Sequence, residues 1–138
     1  MQNANLVSLD TIRKRIEHLA AKISAPPIYL PTFGNSRHDG SHHIALDRLY
    51  HWVVCERGSE LERRSTTDLD ELLFWVFSTV TFSMAVEFEV AHRRNAEDFR
   101  RQLFRKQEEL LSKLSQPWAD RETRDHRTIL QENPFRDG

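Results

Sequence analysis

Cysteine occurs once, at Cys55, which excludes an internal disulfide and suits a reducing, cytoplasmic setting. Neither sign of charge dominates: 20 Lys and Arg stand against 21 Asp and Glu, a formal net charge of −1. That balance argues against a nucleic-acid partner, because such binding draws its affinity from displaced phosphate counterions. Glycine and proline are scarce, and no internal repeat or low-complexity tract occurs. Nor is there a Gly-rich phosphate loop, a nucleophile elbow or a carboxylate-histidine metalloprotease motif, so no cofactor is expected. Residues 1–7 have neither a basic stretch nor a long apolar one, so no secretory leader is expected. At 138 residues the chain fits a single domain, 1–138.

Long apolar runs are also lacking, with one partial exception. Residues 72–86 carry no charge, but they fall short of the roughly 18–20 residues that cross a bilayer. Ser78, Thr79, Thr81 and Ser83 interrupt the run, and Glu71 and Glu87 bracket it. This pattern predicts a buried central helix and no membrane partner. Phe74, Trp75 and Phe82 lie off its Leu73, Val76, Val80 and Met84 stripe, which predicts cover on more than one side.

What is present is a sharp change of side-chain period. Tyr50 to Glu56 and Leu61 to Thr66 are β-prone runs around Arg57 and Gly58, a hairpin signal. Asp68 then caps a helix, with Asp70 and Glu71 in its first turn and Leu69, Leu72, Leu73, Val76, Val80, Met84 and Phe88 at helical spacing to about residue 92.

Upstream, Ser8 can cap a helix whose stripe is Leu9, Ile12, Ile16, Leu19, Ala20 and Ile23, ended by Pro26 and Pro27. Residues 28–33 form at most an edge strand because Pro31 lacks a donor, and residues 34–41 read as a loop. His43 to Asp47 can pair, through a turn at Asp47 to Leu49, with the strand beginning at Tyr50. Downstream, Phe99, Leu103, Phe104, Leu110, Leu111 and Leu114 mark the inward face of an amphipathic helix. Glu97 with Arg101, Arg105 with Glu109 and Glu109 with Lys113 are spaced for ion pairs on its outer face. Pro117 opens a last helix around Trp118, Arg121, Glu122, Ile129 and Leu130. The fold class is therefore α+β: a three- or four-stranded antiparallel meander packed on a central apolar helix, with flanking N- and C-terminal helices.

Three clusters carry candidate chemistry. His38, His42, His43 and His51 lie near Asp39, but no zinc spacing fits and His42 and His43 point to opposite strand faces, so no metal is expected. His51 and Cys55 share a strand face, which keeps open a small metal- or thiol-dependent hydrolase using His42, His51 and Cys55, against a cysteine that packs as a small core side chain. Glu56, Arg57, Glu60 and Glu62 crowd the hairpin, either as a solvated face or as a partner-binding surface. Trp118, amid polar residues, can anchor an interface or staple the last helix to the body. A third reading is an adaptor that self-associates through the helix at 96–114; nothing in the sequence fixes the oligomeric state.

The chain resembles the immunity protein 63 family of bacterial polymorphic toxin systems. The resemblance runs through Val53-Val54-Cys55-Glu56-Arg57-Gly58, Glu60-Leu61-Glu62-Arg63-Arg64-Ser65-Thr66-Thr67-Asp68, Leu69-Asp70-Glu71-Leu72-Leu73-Phe74-Trp75 and Thr81-Phe82-Ser83-Met84-Ala85. It continues through Asp98-Phe99-Arg100-Arg101, Phe104, Gln107-Glu108-Glu109-Leu110-Leu111, Trp118 and Pro134-Phe135, with a looser match at Leu30-Pro31-Thr32-Phe33-Gly34. It implies an α+β fold and a protein, not an enzyme, that binds and neutralises a cognate toxin domain inside the producing bacterial cell. It supplies no catalytic residues. The expected partner-binding residues are Glu56, Arg57, Glu60, Glu62 and Trp118.

Overall fold

A computed structural model describes residues 5–138; residues 1–4, part of the stretch read above for a leader, lie outside the described residues. The element order is helix α1 (Leu9–Lys22), a 3-10 turn (Pro27–Tyr29), strands β1 (Thr32–Phe33), β2 (Asp39–Leu46), β3 (Tyr50–Glu56) and β4 (Ser59–Thr66), then helices α2 (Leu69–Ala91), α3 (Phe99–Ser112) and α4 (Gln116–Glu132). Two compact units result. One holds the chain up to Ala21 with Pro26–Val76; the other holds Lys22–Ala25 with Phe77–Gly138.

In the first unit the strands lie in the order β1-β2-β3-β4. The last three form the expected antiparallel meander, but β1 pairs parallel to β2, with Thr32 opposite His43 and Phe33 opposite Ile44, so the sheet is mixed. Pro31 stays outside β1, and two residues suffice for an edge. The β3–β4 turn is tighter than glycine alone explains, since Arg57 (φ 52°) and Gly58 (φ 82°) both adopt the left-handed conformation. Two consecutive positive φ values match the right-handed twist of the flanking strands, as in a type I′ hairpin. The turn before β3 is closed by Asp47, whose carboxylate accepts from Leu49 N at 2.9 Å.

Ser8 caps α1 by accepting from Thr11 N at 3.1 Å, and Ile12, Ile16 and Ala20 bury one stripe of the helix. Ile44, Tyr50, Trp52 and Val53 supply the buried apolar side chains of the sheet, and the Tyr50 hydroxyl accepts from Val7 N at 2.8 Å. Asp68 caps α2 through Asp70 N at 2.9 Å. Residues 72–76 of α2 are all buried, and the Arg64 guanidinium of β4 lies 4.4 Å from the Trp75 ring. By length and composition α2 is apolar enough to cross a membrane; half of its most apolar window is buried within the protein.

In the second unit, Val80, Thr81 and Ala85 of α2 are buried with Leu103, Leu110 and Leu111 of α3 and Trp118 and Ala119 of α4. Thr81 returns its hydroxyl to Phe77 O at 2.6 Å, which explains how a hydroxyl sits in this core without cost. Two expectations fail here. Phe82, expected under a protein layer, is 49% exposed, and Phe99, placed on the inward face of α3, is 52% exposed. Phe99 is the first residue of α3, where helical spacing alone does not fix which residues are covered.

Asp98 joins the start of α3 to the chain's last residues. Its carboxylate accepts from Arg100 N (2.9 Å), Arg100 Nη2 (2.9 Å) and Arg136 N (2.8 Å). Arg100 also donates to Asn133 O and Pro134 O, Arg101 pairs with Asp137 at 2.8 Å, and Phe135 lies 4.1 Å beneath the Arg101 guanidinium. Arg101 is thus committed to Asp137 rather than to Glu97, which pairs with Arg94, while Glu109 pairs with Lys106. The Arg100 side chain, then the Arg136 and Arg100 amides, hold the Asp98 carboxyl far below its ordinary value of 3.8. A depressed carboxyl contributes stability that is complete above the unfolded value and is lost as pH falls toward the folded one. Asp98→Asn keeps a capping side chain but loses the charge. It is expected to melt below the parent at pH 7, with the gap closing as pH drops below about 4, as read by thermal melts across pH.

Candidate functional site

Four of the five expected contact residues lie where a partner can reach them. Glu56, Arg57, Glu60 and Glu62 are all exposed, on or beside the I′ turn. β4 is the outer strand of the sheet, and every residue in it except Thr66 is exposed. Opposite charges along it, together with the register shift at Val54 and Cys55, blunt an edge that would otherwise template strand addition. Glu60 is already committed, accepting from Arg63 at 2.7 and 3.1 Å, and that guanidinium lowers its pKa. Glu56 and Glu62 make no ion pair among the described residues, which leaves their charges to act outward.

The fifth residue differs. Trp118 is 6% exposed and stacks on Phe77 with ring centroids 6.1 Å apart. Its indole is a staple between α4 and α2 and is not presented at the surface. Pro117 in the first turn and the Ser115 cap turn position 118 inward, a packing outcome that the polar neighbours in sequence concealed.

The histidine cluster does not assemble a metal site: no group of three or more His, Cys, Asp or Glu with metal-binding geometry occurs among the described residues. His42 stacks on Trp52 at 4.2 Å, and His43 buries an Nδ1 that has no hydrogen-bond partner. Burial, the largest cause in each case, pushes both imidazoles below the usual value. Cys55 is half-buried, and both nitrogens of His51 are occupied by other residues. His51 Nε2 meets Asp47 Oδ1 at 2.7 Å and Nδ1 meets Ser65 Oγ at 2.6 Å. The Asp47 carboxylate fixes the Nε2–H tautomer, so Ser65 donates to Nδ1. This chain of bonds resembles an activated serine in connectivity, but it spans three elements and ties the β2–β3 turn and β4 to β3. A thiol-imidazole pair is therefore not formed, and nothing supports the hydrolase reading.

The sequence reading missed a second polar cluster, in the second unit. Gln107, Glu122 and His126 occupy inward positions of α3 and α4 that would ordinarily be apolar. Gln107 Nε2 donates to Ser78 O at 2.9 Å, which turns its Oε1 toward His126 Nε2 at 3.0 Å. His126 Nδ1 meets Glu108 Oε2 at 2.5 Å, and Phe104 stacks on the imidazole at 3.9 Å. Both ring nitrogens thus face oxygens of neighbouring side chains. Ser78 Oγ donates to Glu122 Oε1 at 2.7 Å, while Glu122 Oε2 stands 3.6 Å from His126 Nε2. These groups floor a pocket of about 320 Å³ whose walls include Thr79, Phe82, Phe104 and Ile129. The sequence signal was the polar trio at apolar spacing; which side chains it met depended on how the helices pack.

Burial pushes the Glu122 carboxyl up, against the Ser78 hydrogen bond and His126, with Asp125 and Glu108 adding to the rise. An acid with a raised folded pKa contributes stability that is complete below its unfolded value and is lost as pH climbs through the folded one. Glu122→Gln is accordingly expected to melt above the parent at pH 7, with the advantage gone near pH 4, below the ordinary glutamate value of about 4.3. Paired melts at the two pH values check this.

A mixed four-stranded sheet and four helices define an α+β protein, which presents a charged outer hairpin and an apolar-rimmed pocket. The chain matches the family model described as Immunity protein 63 over residues 47–128, from the β2–β3 turn through most of α4, and belongs to that family. Neither the curated proteins nor the solved structures give a match to it.

Proposed function

We propose that this chain is an immunity protein that binds a cognate bacterial toxin domain and neutralises it inside the producing cell, without catalysing a reaction itself. The observation that carries this reading is membership of the immunity protein 63 family, across a segment that includes the charged hairpin. Glu56, Arg57, Glu60 and Glu62 stand exposed on or beside the I′ turn, and a charged hairpin tip suits fast, oriented docking. Charge complementarity of this kind mainly sets association rate and register, so binding is expected to weaken as ionic strength rises.

The test is co-expression of this chain with the toxin domain encoded immediately upstream of its gene. Survival of cells that otherwise die, together with a stable complex of the two purified proteins, is the expected result. Continued killing with the folded chain present at excess would overturn the reading.

A further inference from the structure

We propose that the pocket among Ser78, Phe82, Gln107, Glu122 and Ile129 receives a basic side chain, arginine or lysine, from the partner protein, with its head group on Glu122 and its methylene stem on Phe82 and Ile129. The inference rests on the immunity reading above for the identity of that partner and adds the chemistry of one contact.

Three observations carry it. The first is size: about 320 Å³ lies at the lower end of the roughly 300–1,000 Å³ of ligand pockets, room for one long side chain. The second is the rim. Phe82 at 49% and Ile129 at 45% exposure are large apolar groups left open beside a polar floor. A long basic side chain has the matching profile, an apolar stem ending in a charge, and a guanidinium also gains from an aromatic face.

The third is the charge left over on the floor. Among the described residues no Lys or Arg lines the pocket, and the nitrogens of its histidine, His126, are already directed to Glu108 and Gln107. Glu122, 8% exposed, keeps Oε1 on the Ser78 hydroxyl, while Oε2 lies beyond hydrogen-bond distance of the imidazole. Asp125 and Glu108 disfavour its ionisation further. A carboxylate buried in this state is costly, and an incoming cation offsets that cost with a charge-assisted hydrogen bond. An acidic or neutral apolar side chain offers no such gain.

The experiment titrates the intact 15N-labelled chain with N-acetyl-arginine N-methylamide, and in parallel with the citrulline analogue, which has nearly the same shape and no charge. The arginine probe is expected to shift the amides of Ser78, Phe82, Gln107 and Ile129 saturably in the millimolar range, and citrulline to bind at least about tenfold more weakly. Glu122→Gln, which retains the fold, is expected to abolish the difference and to weaken the toxin complex by about 30-fold or more. Equal responses to the two probes, no response at these amides, or unchanged toxin binding by Glu122→Gln would each overturn the inference. Failure of the immunity reading looks different: the unaltered chain itself would leave the toxin active.

Discussion

Trp118→Ala is expected to destabilise the protein by about 3–5 kcal/mol, the usual cost of emptying a large aromatic site in a core. The indole is buried, stacks on Phe77 and sits one residue before the buried Ala119, so its loss opens a void between α4 and α2 that neither helix can close without moving. That is a large share of the roughly 5–15 kcal/mol total stability of an ordinary domain. Chemical denaturation followed by circular dichroism measures it. Trp118→Phe, which keeps an aromatic ring, should recover most of the loss. At a temperature where both variants remain folded, affinity for the toxin is expected to stay within about threefold of the parent, since surface-remote changes seldom reach an interface. A severe loss of affinity with little loss of stability would return Trp118 to the contact surface.

Reversing charge on the hairpin is expected to have the opposite profile. Glu56→Lys with Glu62→Lys should weaken toxin binding about a hundredfold or more, because each new lysine places a like charge where a complementary one is expected. Stability should change by no more than about 0.5 kcal/mol, since both positions are exposed and neither carboxylate makes an ion pair among the described residues. Glu60→Lys alone should do less to binding, because Arg63 already neutralises that carboxylate. Association rates at low and high salt separate steering from lost contacts: a defect that shrinks with salt is long-range. Full neutralisation by the double variant would remove the hairpin from the interface.

Much of this architecture could be read from the residues. The β3–β4 hairpin, the Asp68 cap and the span of α2 follow from local chemistry: a left-handed turn, a capping carboxylate and an apolar spacing that each act within a few residues. The parallel pairing of β1 was not legible, because two short extended residues reveal no direction until a partner strand is placed. Phe82 and Phe99 misled for a related reason: apolar residues need not be covered, and which flank of a helix is covered is decided by its neighbours. The polar floor built by Ser78, Gln107, Glu122 and His126 joins three helices separated by tens of residues, so only its inward spacing was visible beforehand.

The apolar character of α2 has a consequence for biosynthesis. α2 precedes α3 and α4 in the chain, so Val80 and Ala85 leave the ribosome ahead of the leucines that accompany them in the second unit. A nascent chain stalled at that point would display a greasy 23-residue segment, attractive to chaperones and to insertion machinery alike. Prompt docking of the last two helices therefore shortens the time for which this apolar segment stands uncovered.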